Sequence, residues 1–143
     1  MLQTLRQVWG RNVKFRDDYR TSWRFEPRTH EKSWGHEIHI ASLDSVQTKV
    51  LFMRKGYSNS LKYYESKNET LFVRRGKIRV IHGCEYTARF PEEFPYDESV
   101  LDEGQGINIQ SGCPYQIFAL EDSEILEMSD KADSRKIIID HSK

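Results

Sequence analysis

From Trp34 onward, apolar and polar residues alternate in short runs separated by turn formers. Glu37–Ala41, Lys49–Met53, Leu61–Tyr64, Thr70–Arg74 and Lys77–Ile81 have this character, as do Ser99–Leu101, Gly106–Ile109, Gln116–Ala119, Glu124–Met128 and Lys136–Ile139. Each run is rich in Val, Ile, Leu, Phe, Tyr or Thr, whose side chains suit a pleated, half-buried surface. Their bounds hold Gly56, Gly76, Gly83, Gly104, Gly112 and Pro114, which supply the backbone conformations of turns. Many short strands with little helical periodicity predict an all-β sandwich or barrel of about ten strands. Arg75-Gly76, between two β-rich runs, predicts a tight hairpin with Gly76 at positive φ. Phe90–Glu98, with two prolines and four acidic residues, is expected to be an exposed loop.

Residues 1–33 read differently. They are polar and irregular, with Trp9, Phe15, Tyr19, Trp23 and Phe25 scattered among charges. Aromatics at that density predict an arm that packs against something. Leu2, Leu5 and Val8 would share one face of a short helix. The expected organisation is an N-terminal arm at 1–33 and one β-barrel domain at 34–143.

The chain has 143 residues, enough to bury a core without staples. Its 22 Lys and Arg balance 22 Asp and Glu, so no overall field favours nucleic acid or an anionic membrane. The arm, however, carries eight basic residues against four acidic ones, a surplus suited to docking on its own domain or a neighbouring subunit. Cys84 and Cys113 lack CxxC spacing, which fits a reduced cytoplasmic setting better than a disulfide scaffold. No apolar run approaches the roughly 20 residues of a membrane span, and Met1–Gly10 lacks the apolar centre of a signal peptide.

The glycines and the chemistry-bearing residues fall into a register. The first set reads Gly56-(x5)-Lys62-x-Tyr64-(x4)-Glu69-(x6)-Gly76, and the second Gly104-(x5)-Gln110-x-Gly112-x-x-Tyr115. Both sets resemble the two motifs of the cupin family, in which histidines stand where this chain has Lys62, Tyr64 and Tyr115. The run KVLFMRKGYSNSLKYYESKNETLFVRRGKI, the run ALEDSEILEMSD and Trp34-Gly35-His36-Glu37 are similar to the sugar-isomerase-like cupins, notably those related to type II mannose-6-phosphate isomerase. The resemblance covers roughly residues 34–140. It implies a single-domain cupin, a double-stranded β-helix or jelly-roll barrel, with an inward cavity near its mouth and a tendency to homodimerise.

Alternation along a strand would turn Lys62 and Tyr64 to one interior and Tyr63 away. Glu69 and Tyr115, from other strands, would converge on the same cavity. Of the four family ligand positions only Glu69 keeps its identity. An ammonium has no lone pair to give an ion, and a tyrosine phenol ionises only near pH 10. No metal or other cofactor is therefore expected.

Three functional readings follow. In the first, Lys62, Tyr64, Glu69, Tyr115 and Lys49 bind a small polar ligand of the sugar or sugar phosphate class without metal. Tyr64 or Tyr115 would act as acid and Lys62 or Glu69 as base if the chain is an isomerase or epimerase. In the second, tyrosines and a Lys62–Glu69 pair plug the barrel, leaving a structural or interaction module. In the third, a metal-dependent sugar isomerase uses unusual ligands. A small molecule and a second copy of the chain are the expected partners, with neither nucleic acid nor membrane.

Outside the motifs, His36 and His39 fall on opposite faces of a strand and make a poor ligand pair. Lys49 and Glu127 match positions often kept in the related sugar cupins, with a surface salt bridge as the default for both. Cys113 reads as a small buried filler.

Overall fold

The computed structural model describes residues 19–43, 46–130 and 133–139. The proposed short helix at Leu2, Leu5 and Val8 lies outside them. The described residues form eleven strands and no helix. In chain order these are β1 (Arg28–Lys32), β2 (Gly35–Leu43), β3 (Val46–Met53), β4 (Lys62–Tyr64), β5 (Glu69–Arg75) and β6 (Lys77–His82). They are followed by β7 (Asp97–Asp102), β8 (Gly106–Ile109), β9 (Tyr115–Ala119), β10 (Ser123–Ser129) and β11 (Lys136–Ile138).

Two antiparallel sheets face each other as a single-domain jelly roll, one ordered β1-β2-β3-β10-β5-β8 and the other β11-β4-β9-β6-β7. The period-2 pattern explains why. β5 turns Glu69, Leu71 and Val73 inward, and β10 turns Ser123, Ile125, Glu127 and Ser129 inward. Leu71, Val73, Ile78, Val80, Ile117 and Ile125 are fully closed off from solvent and form the dry half of the interior. Burial of such side chains stabilises by about 1.5–3 kcal/mol each.

Three features depart from the sequence expectation. Arg75-Gly76 is not a hairpin, because β5 and β6 lie in different sheets. Gly76, at φ 94°, instead turns the chain through a corner so tight that a Cβ would collide with Ser123 and the Asp122 carbonyl. Residues 28–32, within the segment read as an arm, form the edge strand β1 and pair with β2 from Arg28↔His39 to Lys32↔Gly35. Asp97 and Glu98, assigned to a loop, begin β7 and pair with His82 and Ile81.

The β1–β2 connection places the barrel mouth. Gly35 has φ 150° and its Cα faces the Phe52 carbonyl so closely that any Cβ would clash with that oxygen. Behind it Arg54 N–H donates to the Trp34 carbonyl at 2.9 Å. Gly35→Ala is expected to cost about 3 kcal/mol from strain and displaced backbone, read as a lowered midpoint in urea unfolding.

Candidate functional site

Three strands supply one polar row across the inner face, which Leu71 of a fourth closes on its apolar side. His39 of β2 pairs with Lys49 of β3, Lys49 pairs with Glu127 of β10, and Glu127 pairs with Leu71 of β5. Directly opposed residues on one face lie within side-chain reach, so strand register alone gathers these groups. From the second sheet, Lys62 pairs with Tyr115 across β4 and β9.

Glu69 and Tyr115 meet as the shared alternation requires. The Tyr115 hydroxyl donates to Glu69 Oε1 at 2.6 Å, and both residues are buried. Glu69 Oε2 receives no hydrogen bond; it faces Lys67 Nζ at 3.6 Å. The Lys67 ammonium in turn sits 3.8 Å above the Tyr64 ring, and Lys62 Nζ sits 4.0 Å above the Tyr115 ring. A desolvated cation over an aromatic face gains about 2 kcal/mol. The result is an interleaved stack of two tyrosines and two lysines around one carboxylate. The expected Lys62–Glu69 pair is thus corrected: Glu69 pairs with Lys67, and among the described residues no carboxylate comes within ion-pair distance of Lys62.

Lys67 is positioned by its neighbours. Asn68 N–H and side-chain amide both donate to the Asp130 carboxylate at 3.0 and 2.8 Å, while Asn68 Oδ1 accepts from Ser111 N–H at 2.9 Å. Gly112 N–H donates to the Tyr64 carbonyl at 2.8 Å. One asparagine therefore ties together the loops that carry the two motifs.

Above this stack lies a cavity of about 360 Å³, lined by Lys32, Lys49, Lys62, Lys136, Glu37, Glu127 and Tyr64, with Trp34, Leu51, Asn59 and three serines completing the wall. Glu69 and Tyr115 are not among the lining residues. They form the floor beneath it. Lys49 and Glu127 are not a surface salt bridge: Glu127 is buried, and Lys49 Nζ pairs with Glu37 Oε1 at 3.5 Å. His39 Nε2 also meets Glu37 Oε1 at 2.8 Å. His36 lies on the other face, stacked on Phe52, as the three-residue spacing implies.

Burial and neighbouring charge set the protonation of the lining groups. Burial lowers Lys62 to about 8 from 10.5, only partly opposed by Glu127 and Glu69. Burial raises Glu127 to about 7, reinforced by Glu69 and opposed by Lys49, Lys62 and Lys67. Tyr64 and Tyr115 are both pushed well up, first by burial and then by the surrounding carboxylates, so each keeps its proton. Burial pushes the Glu37 carboxyl up, but the His39 hydrogen bond and the charges of Lys49 and Lys32 outweigh it and hold it below its ordinary value. His39 is held down, chiefly by burial.

The side chains at the four motif positions do not fit a divalent cation. Two ammonium groups occupy the space, the tyrosines hold their protons, and one Glu69 oxygen is already bound to Tyr115. Among the described residues no three His, Cys, Asp or Glu converge as a ligand set.

Of the sequence-predicted residues, Lys62, Tyr64 and Lys49 reach the cavity and Glu69 and Tyr115 support it. Glu127, Glu37, Lys32 and Lys136, which line the cavity, and Lys67 are not among the sequence-predicted site residues. Glu127 carried a readable signal, standing two residues after Ile125 on the same strand face; Lys67 lies in a turn where alternation gives no direction.

The sequence matches no family model and no curated protein. Solved structures do match. A single-site variant of Bacillus subtilis oxalate decarboxylase superposes with TM-score 0.63 at 17% identity, covering 74% of this chain and 28% of that one. Lactobacillus farciminis oxalate decarboxylase in its formate complex gives 0.66 at 15%, covering 80% and 34%. CapF with the inhibitor 3-isopropenyl-tropolone gives 0.61 at 18%, covering 76% and 31%. The chain thus spans about a third or less of the length of these proteins. At such identities the likeness is one of fold. The fold is that of a cupin. Among the described residues no helix is long and apolar enough to cross a membrane.

Removing either lysine separates their roles. Lys67→Met leaves the Glu69 carboxylate without its cation and is expected to cost about 3–5 kcal/mol. Lys62→Met should be neutral or stabilising at pH 7. Wild-type Lys62 is easier to charge in the unfolded chain, a cost present in full below about pH 8 and lifted as pH rises toward 10.5. The advantage of Lys62→Met over wild type should therefore shrink on going to pH 10, measured by chemical denaturation. A loss with Lys62→Met equal to that of Lys67→Met would contradict this division.

Proposed function

We propose that the protein binds a small anionic polyol, of the sugar phosphate or nucleotide-sugar class, in the cavity at the barrel mouth, without a metal. One observation carries the reading: four lysines line a cavity of about 360 Å³ that also offers two carboxylates, a tyrosine and three serines. Cavities of roughly 300–1,000 Å³ hold ligands of this size. The lysines match a phosphate or carboxylate, and Glu37, Tyr64 and the serines match sugar hydroxyls.

The same wall holds two groups whose ionisation is moved toward neutrality from opposite sides, Lys62 to about 8 and Glu127 to about 7. Such a pair suits proton transfer beside a carbonyl, the chemistry of an isomerase or epimerase. In this reading Glu127 takes and returns the substrate proton, Lys62 holds the developing negative oxygen, and Tyr64 donates a hydrogen bond to it. Glu69 and Tyr115 act beneath the reacting atoms as support.

The second reading, a plugged barrel serving as a scaffold, draws on the Tyr115–Glu69–Lys67 floor. Thermal-shift measurement with hexose phosphates, nucleotide sugars and inorganic phosphate distinguishes the two. A ligand at 100 times its Kd should add about 2.7 kcal/mol, and Lys49→Gln should weaken it at least tenfold. Silence across the whole panel would favour the scaffold.

A phosphate placed against Lys62 favours its charged form, and it likewise favours protonated Glu127. Binding should therefore take up protons between about pH 7 and 8, seen as a dependence of the calorimetric enthalpy on buffer ionisation. Lys62→Met should reduce that uptake.

A further inference from the structure

We infer that Cys84 and Cys113 form a reversible disulfide, Cys84 being the thiol that reacts with an oxidant and Cys113 the one that resolves it. This does not rest on the ligand assignment. The register of β6 and β9, followed beyond the ends of both strands, sets the two cysteines opposite each other. His82 pairs with Tyr115. One step further, Gly83 N–H donates to the Pro114 carbonyl at 3.0 Å. Two steps beyond that, a Cβ on Gly112 would rest 3.5 Å from Glu85 Cβ. Cys84 and Cys113 are the pair bracketed between these contacts.

Their own N–H groups point elsewhere, Cys84 to the Thr87 hydroxyl at 2.9 Å and Cys113 to the Gln110 carbonyl at 3.1 Å. Continued in that register, residues 84 and 113 would take the narrow, non-hydrogen-bonded place of an antiparallel pair, for which opposed Cβ atoms stand about 4.5–5.5 Å apart on one face. A disulfide needs a Cβ separation of about 3.5–4.5 Å, so a small movement of two loop segments suffices.

The thiols differ as attacking and resolving groups should. Cys84 is exposed, and its sulfur accepts from the Tyr86 N–H at 3.4 Å and the Thr87 hydroxyl at 3.6 Å. Both donors favour thiolate, and the Thr87 contact leads in holding this thiol below its ordinary value. Cys113 is half-buried against the core, and burial pushes its thiol up.

With hydrogen peroxide as oxidant, the Cys84 thiolate attacks one peroxide oxygen and the O–O bond breaks. Sulfenic acid forms, and the departing hydroxide takes up a proton to become water. The Cys113 sulfur then attacks the Cys84 sulfur. The S–S bond forms as the S–O bond breaks, and the second hydroxide leaves as water with the Cys113 proton. Two thiols are oxidised and one peroxide is reduced to two waters. Intracellular disulfides of this kind are typically transient and redox-sensing.

The test uses the full chain treated with hydrogen peroxide and then alkylated. Expected are loss of both alkylatable thiols, a mass decrease of two hydrogens in a protein that gains no second chain, and a peptide joining residues 84 and 113. Dithiothreitol should restore both thiols, and the oxidised form should melt several degrees higher than the reduced one. Cys113→Ser should stop Cys84 at a sulfenic acid that dimedone captures, whereas Cys84→Ser should leave Cys113 alkylatable. Both thiols surviving peroxide would overturn the inference, as would bridges formed only between chains or a Cys84 oxidised identically with and without Cys113.

Discussion

A carboxylate shut inside a sheet sandwich must be neutralised by something that is shut in with it, and Glu69 sets this condition for the whole mouth of the barrel. One oxygen is met by the Tyr115 hydroxyl; the other receives no hydrogen bond and faces the Lys67 ammonium at 3.6 Å. The cation of Lys67 in turn requires the face of Tyr64, and Lys62 requires the face of Tyr115. Isolated charges would cost several kcal/mol each in such a place. Arranged as alternating cation, ring and carboxylate, they form a floor that is polar yet filled. Three lysines (49, 62 and 67) and three glutamates (37, 69 and 127) share this interior.

The floor also divides the polar residues of the interior between two levels. The Tyr115 hydroxyl is committed to Glu69 Oε1, while Glu127, Lys62 and Lys49 line the cavity. Strand pairing delivers that arrangement cheaply: one row of register partners brings His39, Lys49 and Glu127 side by side. Asn68 then fixes the height of the floor by bonding at once to Asp130 and to the Ser111 backbone.

Much of this was legible in the sequence. Period-2 alternation located ten of the strands and put Lys62 and Tyr64 on one face, while the resemblance of the Gly56–Gly76 register to the cupin motif implied that Glu69 and Tyr115 join them inside. What escaped did so for physical reasons. Arg28–Lys32 contains no apolar residue, so an edge strand of that composition looks like tail. Gly76 marks a turn, but whether a turn joins paired strands or crosses between sheets depends on partners far away in sequence. Glu127 reads by default as a surface charge, yet the inward phase of Ile125, two positions before it on the same strand, argues otherwise. Lys67 lies in a turn, where only three-dimensional packing fixes direction.

A positive centre built from Lys62 and Lys67 is anchored to the backbone by covalent bonds, which gives it an occupancy independent of supply. No chelator can strip it, and scarcity of an ion in the surroundings cannot empty it. Its vulnerability is of another kind. Burial lowers Lys62 to about 8, so the fixed charge is held against the stability of the fold itself.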